Sequence, residues 1–398
     1  MISDKLDNVF SDIRGELYYR ALEKEKAGKK VLKLNTGNPA TFGFEMPVSI
    51  KEKIKESIDS ALGYCDLKGM PDARQSICSY HKSLGVMGIC PDDIYITNGV
   101  SEAAYMAVSA LCSDADEFLV PSPCYSLWVN MIRLAGGKAV FYNCDEKNAW
   151  MPDLKSIESQ ISNKTKAILI INPNNPTGAV YDKGIIEGIY AIAKKHSLVI
   201  FSDEIYDRLV FGDAVHTPTA SLGDDVTILT FNGLSKSHCI CGFRCGWMVV
   251  SGKNDDKRRI NQALTTIASI RLCSNALMQL VIPEALNDSA YTKEMISQNG
   301  RIYRQNKLAA SLLHQIDGLD TVENNAAFYL YPRLDIKRFG FENDKDFAAK
   351  LLDEENILVV AGSGFYSSDN EHFRIVTLPD EATLSESICR IKAFLERR

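Results

Sequence analysis

Lys236 stands in the stretch Phe231-Asn232-Gly233-Leu234-Ser235-Lys236, directly after the apolar run Val226 to Thr230, with Arg244 eight residues further on. A lysine placed just past a buried strand can hold its amine at the floor of a cleft. Partial desolvation there favours the neutral, nucleophilic form that condenses with an aldehyde. Ser235 and Arg244 would offer a hydroxyl and a guanidinium to a phosphate. A single lysine is usually solvated, so the reading depends on its company. Two more polar motifs begin where apolar runs stop: Asn172-Pro173-Asn174-Asn175-Pro176-Thr177-Gly178 after Ile168 to Ile171, and Ser202-Asp203-Glu204-Ile205-Tyr206 after Val199 to Phe201. Ligands of open parallel sheets bind beyond the carboxyl ends of the strands, and three such motifs on one edge exceed what turns require.

The residue types in these motifs suit a pyridoxal phosphate site. The ring nitrogen of that cofactor must stay protonated if the ring is to accept electrons, and Asp203 can face it. Asn175 and Tyr206 can donate hydrogen bonds to the ring's phenolic oxygen, although Asn-Pro and Thr-Gly also serve ordinary turns. Thr97-Asn98-Gly99-Val100-Ser101 marks a strand-to-helix junction, where backbone N–H groups can bind a phosphate and Gly99 permits close approach. A plain helix cap is the competing reading. Tyr125, after Pro121-Ser122-Pro123-Cys124, can stack on the ring or simply pack as a buried tyrosine. Arg374, in His372-Phe373-Arg374-Ile375-Val376, can grip an amino acid's α-carboxylate with paired hydrogen bonds, or join a surface ion pair.

The elements that must position these groups are legible as an α/β pattern. Short β-branched runs predict seven strands, at Ile94–Thr97, Glu117–Val120, Ala139–Tyr142, Lys166–Ile171, Leu198–Ser202, Val226–Phe231 and Trp247–Val250. Helical periods over Ser101–Leu111, Leu127–Ala135 and Ile185–His196 alternate with them. The expected fold is a mostly parallel seven-stranded sheet between helices. A polar helix over Leu17–Ala27 and mixed patterning after about Leu286 predict a smaller α+β domain built from both chain ends, 1–45 and 286–398, beside a large domain spanning 46–285. At 398 residues the chain exceeds what one core usually organises.

A formal net charge of −6 lacks the basic footprint of nucleic-acid or anionic-membrane binding, so neither partner is expected. The N-terminal residues lack the apolar run of a secretory signal, and no apolar run approaches membrane-spanning length, which predicts a cytoplasmic protein. Eleven scattered cysteines, an odd number, fit reduced thiols better than a disulfide framework. Cys239, Cys241 and Cys245 cluster without a second ligand pair, so no metal is expected.

Taken together, these residues resemble the class I/II aminotransferases, the fold type I pyridoxal phosphate enzymes. The likeness runs from Gly37-Asn38-Pro39 through Tyr64 to Gly69, Asn172 to Gly178, Ser235-Lys236, Arg244 and Arg374. It implies that Lys236 links covalently to the cofactor aldehyde and then carries the substrate Cα proton. It further implies that Asp203 pairs with the pyridinium, that Asn175 and Tyr206 bind the phenolic oxygen, and that Tyr125 stacks. Gly99, Val100, Ser101, Ser235 and Arg244 would hold the phosphate, and Arg374, Asn175 and Gly37 the substrate carboxylate. The tyrosine matching Tyr64 reaches the neighbouring subunit's phosphate in this family, which implies a homodimer with shared sites. Asp12-Ile13-Arg14-Gly15, Gly63-Tyr64-Cys65-Asp66 and His372 to Pro379 extend the likeness to bacterial alanine aminotransferases, which exchange alanine and pyruvate with glutamate and 2-oxoglutarate. Arg14 then becomes a contact for a distal carboxylate. Ser11, Gly233 and Ser237 to Cys241 depart from common patterns, and they leave open a larger amino donor or a β-lyase outcome.

Overall fold

The computed structural model describes residues 2–253, 255–367 and 369–398. Fifteen described strands run β1 Leu32–Lys33, β2 Ile94–Asn98, β3 Glu117–Ser122, β4 Lys138–Asp145, β5 Met151–Pro152, β6 Thr165–Ile171, β7 Val199–Asp203 and β8 Ile228–Gly233. They continue as β9 Cys245–Ser251, β10 Leu319–Asp320, β11 Tyr329–Leu330, β12 Arg333–Leu334, β13 Ile357–Leu358, β14 Val360–Ala361 and β15 Phe373–Val376. The helices that matter to the site are α1 Glu16–Lys26, α2 Val100–Leu111, α3 Ser126–Leu134 and α4 Lys183–His196.

The run Thr165–Ile171 shows why these segments become strands. Ile168 and Ile170 pack into one core, while Ala167, Leu169 and Ile171 pack into another. Alternation between two apolar faces is what a sheet covered on both sides requires. Each fully buried isoleucine contributes roughly 1.5–3 kcal/mol. Helix α4 buries Ile186, Ile189 and Ala193 at helical spacing. Lys194, Lys195 and His196 fill its last turn, where positive charge complements the helix dipole.

The large sheet has the order β2-β9-β8-β7-β6-β3-β4-β5. Strands β8, β7, β6, β3 and β4 are parallel, and β9 runs antiparallel to both β2 and β8. The expected seven strands are all present, and the structure adds an eighth. Strand β5 pairs antiparallel with only Cys144 and Asp145 at the end of β4, and two residues ending in a proline are too short to show an alternating pattern. A separate core draws on Leu32 and Leu34 from near the start of the chain and on Ala309 to Leu395. There β1 pairs parallel with β13, and β15 lies between β11 and β14. Helix α1 lies within one residue of its expected limits.

Register brings the three motifs together. Ile171 pairs with Asp203, and Asp203 pairs with Phe231, so β6, β7 and β8 end side by side. Their following segments converge on one edge of the sheet.

Candidate active site

A cavity of about 610 Å³ opens at that edge, enough for a cofactor and a small substrate. It is lined by Arg14, Gly37, Val100, Ser101, Tyr125, Asn175, Asp203, Tyr206, Ser235, Lys236, Arg244 and Arg374, twelve of the residues picked out from the sequence. Gly99 lies immediately behind the lining as the N-cap of α2. Tyr64 is outside this cavity and 85% exposed.

Asp203 terminates a fully buried strand and is itself 3% exposed. Its Oδ2 accepts a 2.8 Å hydrogen bond from the indole Nε1 of Trp128, and its Oδ1 accepts from the Ile205 amide at 3.3 Å. Among the described residues no cation pairs with it. Burial therefore pushes its carboxyl up to about 6, against the Trp128 bond and the Lys236 charge that pull it down. A buried carboxylate facing a cavity without a cation fits a protonated ring nitrogen.

Lys236 projects from the loop after β8, and its Nζ donates to the Gly37 carbonyl at 2.8 Å. Tyr206 exchanges a 2.7 Å hydroxyl hydrogen bond with Tyr329, and burial holds the Tyr206 hydroxyl well above its ordinary value. Burial likewise raises Tyr125, the residue preceding α3. Both phenols thus remain protonated donors at neutral pH. In the Asn172 to Gly178 segment, Asn174 performs the turn chemistry, because its Oδ1 accepts from the Thr177 amide and hydroxyl. Asn175 is left for the cavity.

Two positive ends meet at the start of α2. Gly99 adopts φ 82°, and a side chain there would run into the Arg244 guanidinium. Arg244 itself holds φ 60°, with Nη1 donating to the Cys241 carbonyl at 2.9 Å. Strand β9 closes on the same turn, since a Cβ on Gly246 would lie 2.6 Å from the Gly99 carbonyl carbon and 2.7 Å from the Val100 nitrogen. Among the described residues no carboxylate pairs with Arg244. A helix N-terminus and an uncompensated guanidinium, with the Ser101 and Ser235 hydroxyls nearby, fit a phosphate.

Arg374 is 1% exposed and extends from β15 into the cavity. Its Nη1 donates to Asn175 Oδ1 at 2.9 Å, and its Nη2 donates to the Asn35 carbonyl. The guanidinium lies over the Tyr329 and Phe365 rings at 4.4 and 4.6 Å, and among the described residues its Nε has no hydrogen-bond partner. A buried guanidinium with an orphaned N–H suits a carboxylate arriving from the cavity. Asn35 also donates to the Ile13 carbonyl at 3.0 Å, which ties the segment bearing Ser11 and Arg14 to the site. Of the departing stretch Ser237 to Cys241, only Cys241 lines the cavity. His238 is buried, with its ring bonded to Ser237 and to the Ala285 carbonyl.

Sequence reasoning missed Trp128, Tyr329 and Asn35. Trp128 sits three residues after Tyr125, on the first turn of α3, a spacing that would have placed it on the same helix face. Tyr329 lies in the two-residue strand β11 and Asn35 in the bend two residues after β1, both remote in the chain from the motifs that line the cavity.

The fold and the site agree with known proteins. Residues 29–391 match the family model for aminotransferase class I and II. The glutamate-pyruvate aminotransferase AlaA of Haemophilus influenzae is 45% identical over 393 residues, covering 99% of this chain and 97% of that protein. A crystal structure of an aminotransferase from Escherichia coli superposes with a TM-score of 0.98 at 43% identity, covering 100% of this chain and 98% of that one. The alanine aminotransferase of Pyrococcus furiosus gives a TM-score of 0.96 at 34% identity, with both chains fully covered. The chain belongs to the class I and II aminotransferases, fold type I enzymes that work with pyridoxal phosphate.

Proposed function

We propose that this enzyme transfers an amino group from L-alanine to 2-oxoglutarate, forming pyruvate and L-glutamate, and the reverse. The observation that carries the reading is the full-length likeness to enzymes named glutamate-pyruvate and alanine aminotransferase. It is supported by Arg374, buried in the cavity wall where it could take an α-carboxylate, and by Arg14, an exposed residue lining the same cavity that could take a distal one. A larger amino donor is the second reading, because Ser11 and Cys241, both small, line the same cavity.

In this reading Asp203 faces the cofactor's ring nitrogen, Asn175 and Tyr206 bind its phenolic oxygen, and Tyr125 covers its face. Val100, Ser101, Ser235 and Arg244 hold its phosphate around the turn at Gly99. The cofactor supplies the electron sink that acidifies the substrate Cα–H. Lys236 Nζ, which donates to the Gly37 carbonyl at the cavity wall, takes up that proton and returns it. Arg374 orients the substrate through its carboxylate, with Asn175 holding the guanidinium in place.

We further infer a cytoplasmic homodimer, with domains at 1–45 plus 286–398 and at 46–285. The second core formed by both chain ends supports the division. An apolar patch supports the dimer. Leu62 and Tyr64 are 84% and 85% exposed and Ile270 is 82% exposed, and these segments lie together because Arg271 donates to the Leu67 carbonyl. Exposed apolar surface of this kind marks interaction sites. Tyr64 would then serve the partner's phosphate. The eleven free cysteines fit a reducing compartment, and among the described residues no helix is long and apolar enough to cross a membrane.

A donor panel tests the reading. The holoenzyme's visible cofactor absorbance is expected to fall on adding L-alanine or L-glutamate and to recover with pyruvate or 2-oxoglutarate. Response only to another amino acid, or ammonia release, refutes the alanine assignment and leaves the cofactor chemistry intact. Lys236→Ala is expected to lose at least ~10³-fold in turnover, and wild-type turnover by this variant would refute the mechanism.

A further inference from the structure

The strand that carries Arg374 is anchored at its start by a buried histidine held in a partly exposed group of charges outside the cavity. His372 is fully buried, with Nδ1 at 3.0 Å from Asp369 Oδ1 and Nε2 at 3.1 Å from Glu146 Oε1. With a carboxylate at each nitrogen, the ring donates from both and is held as the imidazolium. Arg333 pairs with Glu146, and it also lies 3.4 Å from Asp369 and 3.9 Å from Glu371. Tyr331 lies flat against the His372 ring at 4.8 Å, and Trp150 meets it edge-on at 5.2 Å. Asp145 and Lys147 line a small neighbouring cavity with Glu146, Arg333 and Asp369.

This group links two parts of the fold. Glu146 follows β4 of the large sheet, whereas His372 immediately precedes β15, two residues before Arg374. Residues two apart on a strand share a face, and here they share a stack. Tyr331, under His372, contacts Phe365 at 6.1 Å. Phe365 and Tyr329 enclose the Arg374 guanidinium, and Tyr329 bonds Tyr206 in the cavity. The main chain adds a second tie, with the His372 carbonyl accepting from Gly362 at 2.7 Å.

We propose that His372 is a positioning residue for the substrate carboxylate: clamped between Glu146 and Asp369, it fixes the strand that presents Arg374, and amino-acid affinity weakens when the clamp opens. The inference rests on Arg374 binding that carboxylate. Burial pulls His372 down, but its bonds to Asp369 and Glu146 outweigh burial and hold it above its ordinary value. The clamp is thus complete below the free-histidine value of about 6.5 and is lost as pH rises through the folded one. Burial keeps the Tyr331 hydroxyl protonated over this range, so the His372 ring, not the ring stacked on it, is the one that changes.

The test is steady-state kinetics of the holoenzyme between pH 6 and 9.5, using whichever donor turns over fastest. His372→Gln is expected to raise donor KM roughly tenfold at pH 6.5, with kcat within about threefold and cofactor absorbance unchanged. The ratio of variant to wild-type KM should shrink as pH rises. Glu146→Gln keeps the imidazole but removes one carboxylate, so its KM should begin to climb at lower pH than the wild type's. A KM within twofold of wild type at pH 6.5, a ratio constant with pH, or a fall in kcat alone overturns the proposal. If His372→Gln does not accumulate as holoenzyme, the onset of the KM rise in Glu146→Gln decides. A normal KM in Arg374→Lys would instead remove the carboxylate reading beneath it.

Discussion

Replacing Trp128 with phenylalanine removes the indole N–H that donates to Asp203 while keeping an aromatic ring beside Phe231 and Phe201. The lost bond goes to a buried carboxylate, and bonds to charged groups are worth about 1.5–3 kcal/mol. At 1.36 kcal/mol per tenfold, the Asp203 midpoint, which stands at about 6, should rise by roughly one to two pH units. At pH 7 the wild-type carboxylate in the cofactor-free protein is ionised in a ratio of about ten to one. In the variant that ratio falls to between about even and one in ten. Only the ionised form can pair with the ring cation, so apparent cofactor affinity at pH 7 should fall roughly twofold to tenfold. The deficit should close to within about twofold at pH 9, where the variant is ionised as well. Sign matters here. Burial lifts the folded value above the ordinary 3.8, so the charged Asp203 destabilises the cofactor-free fold. That cost is absent below 3.8 and complete above about 6, and the bound ring cation relieves it. Fluorescence or absorbance titration of cofactor-free protein with pyridoxal phosphate, from pH 5 to 9, measures the whole curve. An acid limb that stays where the wild type has it would refute the reasoning, because Trp128 would then be packing and nothing more.

Two other experiments probe separate parts of the site. Arg374→Lys keeps the charge but loses the planar pair of donors, and KM for both amino and oxo acids should rise roughly ten- to a hundredfold at unchanged cofactor affinity, read by initial rates; a KM within twofold of wild type would show that the carboxylate binds elsewhere. Co-expressed Tyr64→Phe and Lys236→Ala chains should form hybrids in which the lysine-bearing site receives an intact Tyr64 from its partner, so that one site per dimer regains wild-type cofactor affinity in titration. Hybrids no better than the Tyr64→Phe homodimer would place Tyr64 on its own chain's site.

The catalytic edge of the sheet was legible because β6, β7 and β8 are continuous apolar runs that stop abruptly at polar segments, so a strand end can be read from composition alone. Asp203, Asn175 and Lys236 follow from that punctuation. What stayed hidden depends on direction and on distance along the chain. Trp128 reads as a core aromatic on an amphipathic helix, and only the fold aims its N–H at Asp203. Tyr329 lies in a two-residue strand 123 positions from the Tyr206 that it bonds. Gly233 stood out in the sequence as a departure from the common pattern. In the structure a Cβ there would lie 2.6 Å from the Cys245 carbonyl oxygen, so close strand packing calls for glycine at that position. Likewise Ser237 and His238, a conspicuous departure in sequence, bond each other and, through the His238 ring, the Ala285 carbonyl, and neither lines the cavity.

The close approach of Gly246 to Gly99 and Val100 has an evolutionary consequence. The turn that would cradle the phosphate is not free to vary by itself: a side chain at Gly99 would meet the Arg244 guanidinium, and Gly246, some 150 residues later in the chain, packs directly on the turn's backbone. A mutation at Gly246 touches neither cofactor nor substrate in sequence terms, yet it would displace the Val100 amide as surely as a mutation in the turn. The two glycines answer to different neighbours, Gly99 to its φ of 82° and the Arg244 guanidinium, Gly246 to the backbone of Gly99 and Val100, so the one turn is held from both sides.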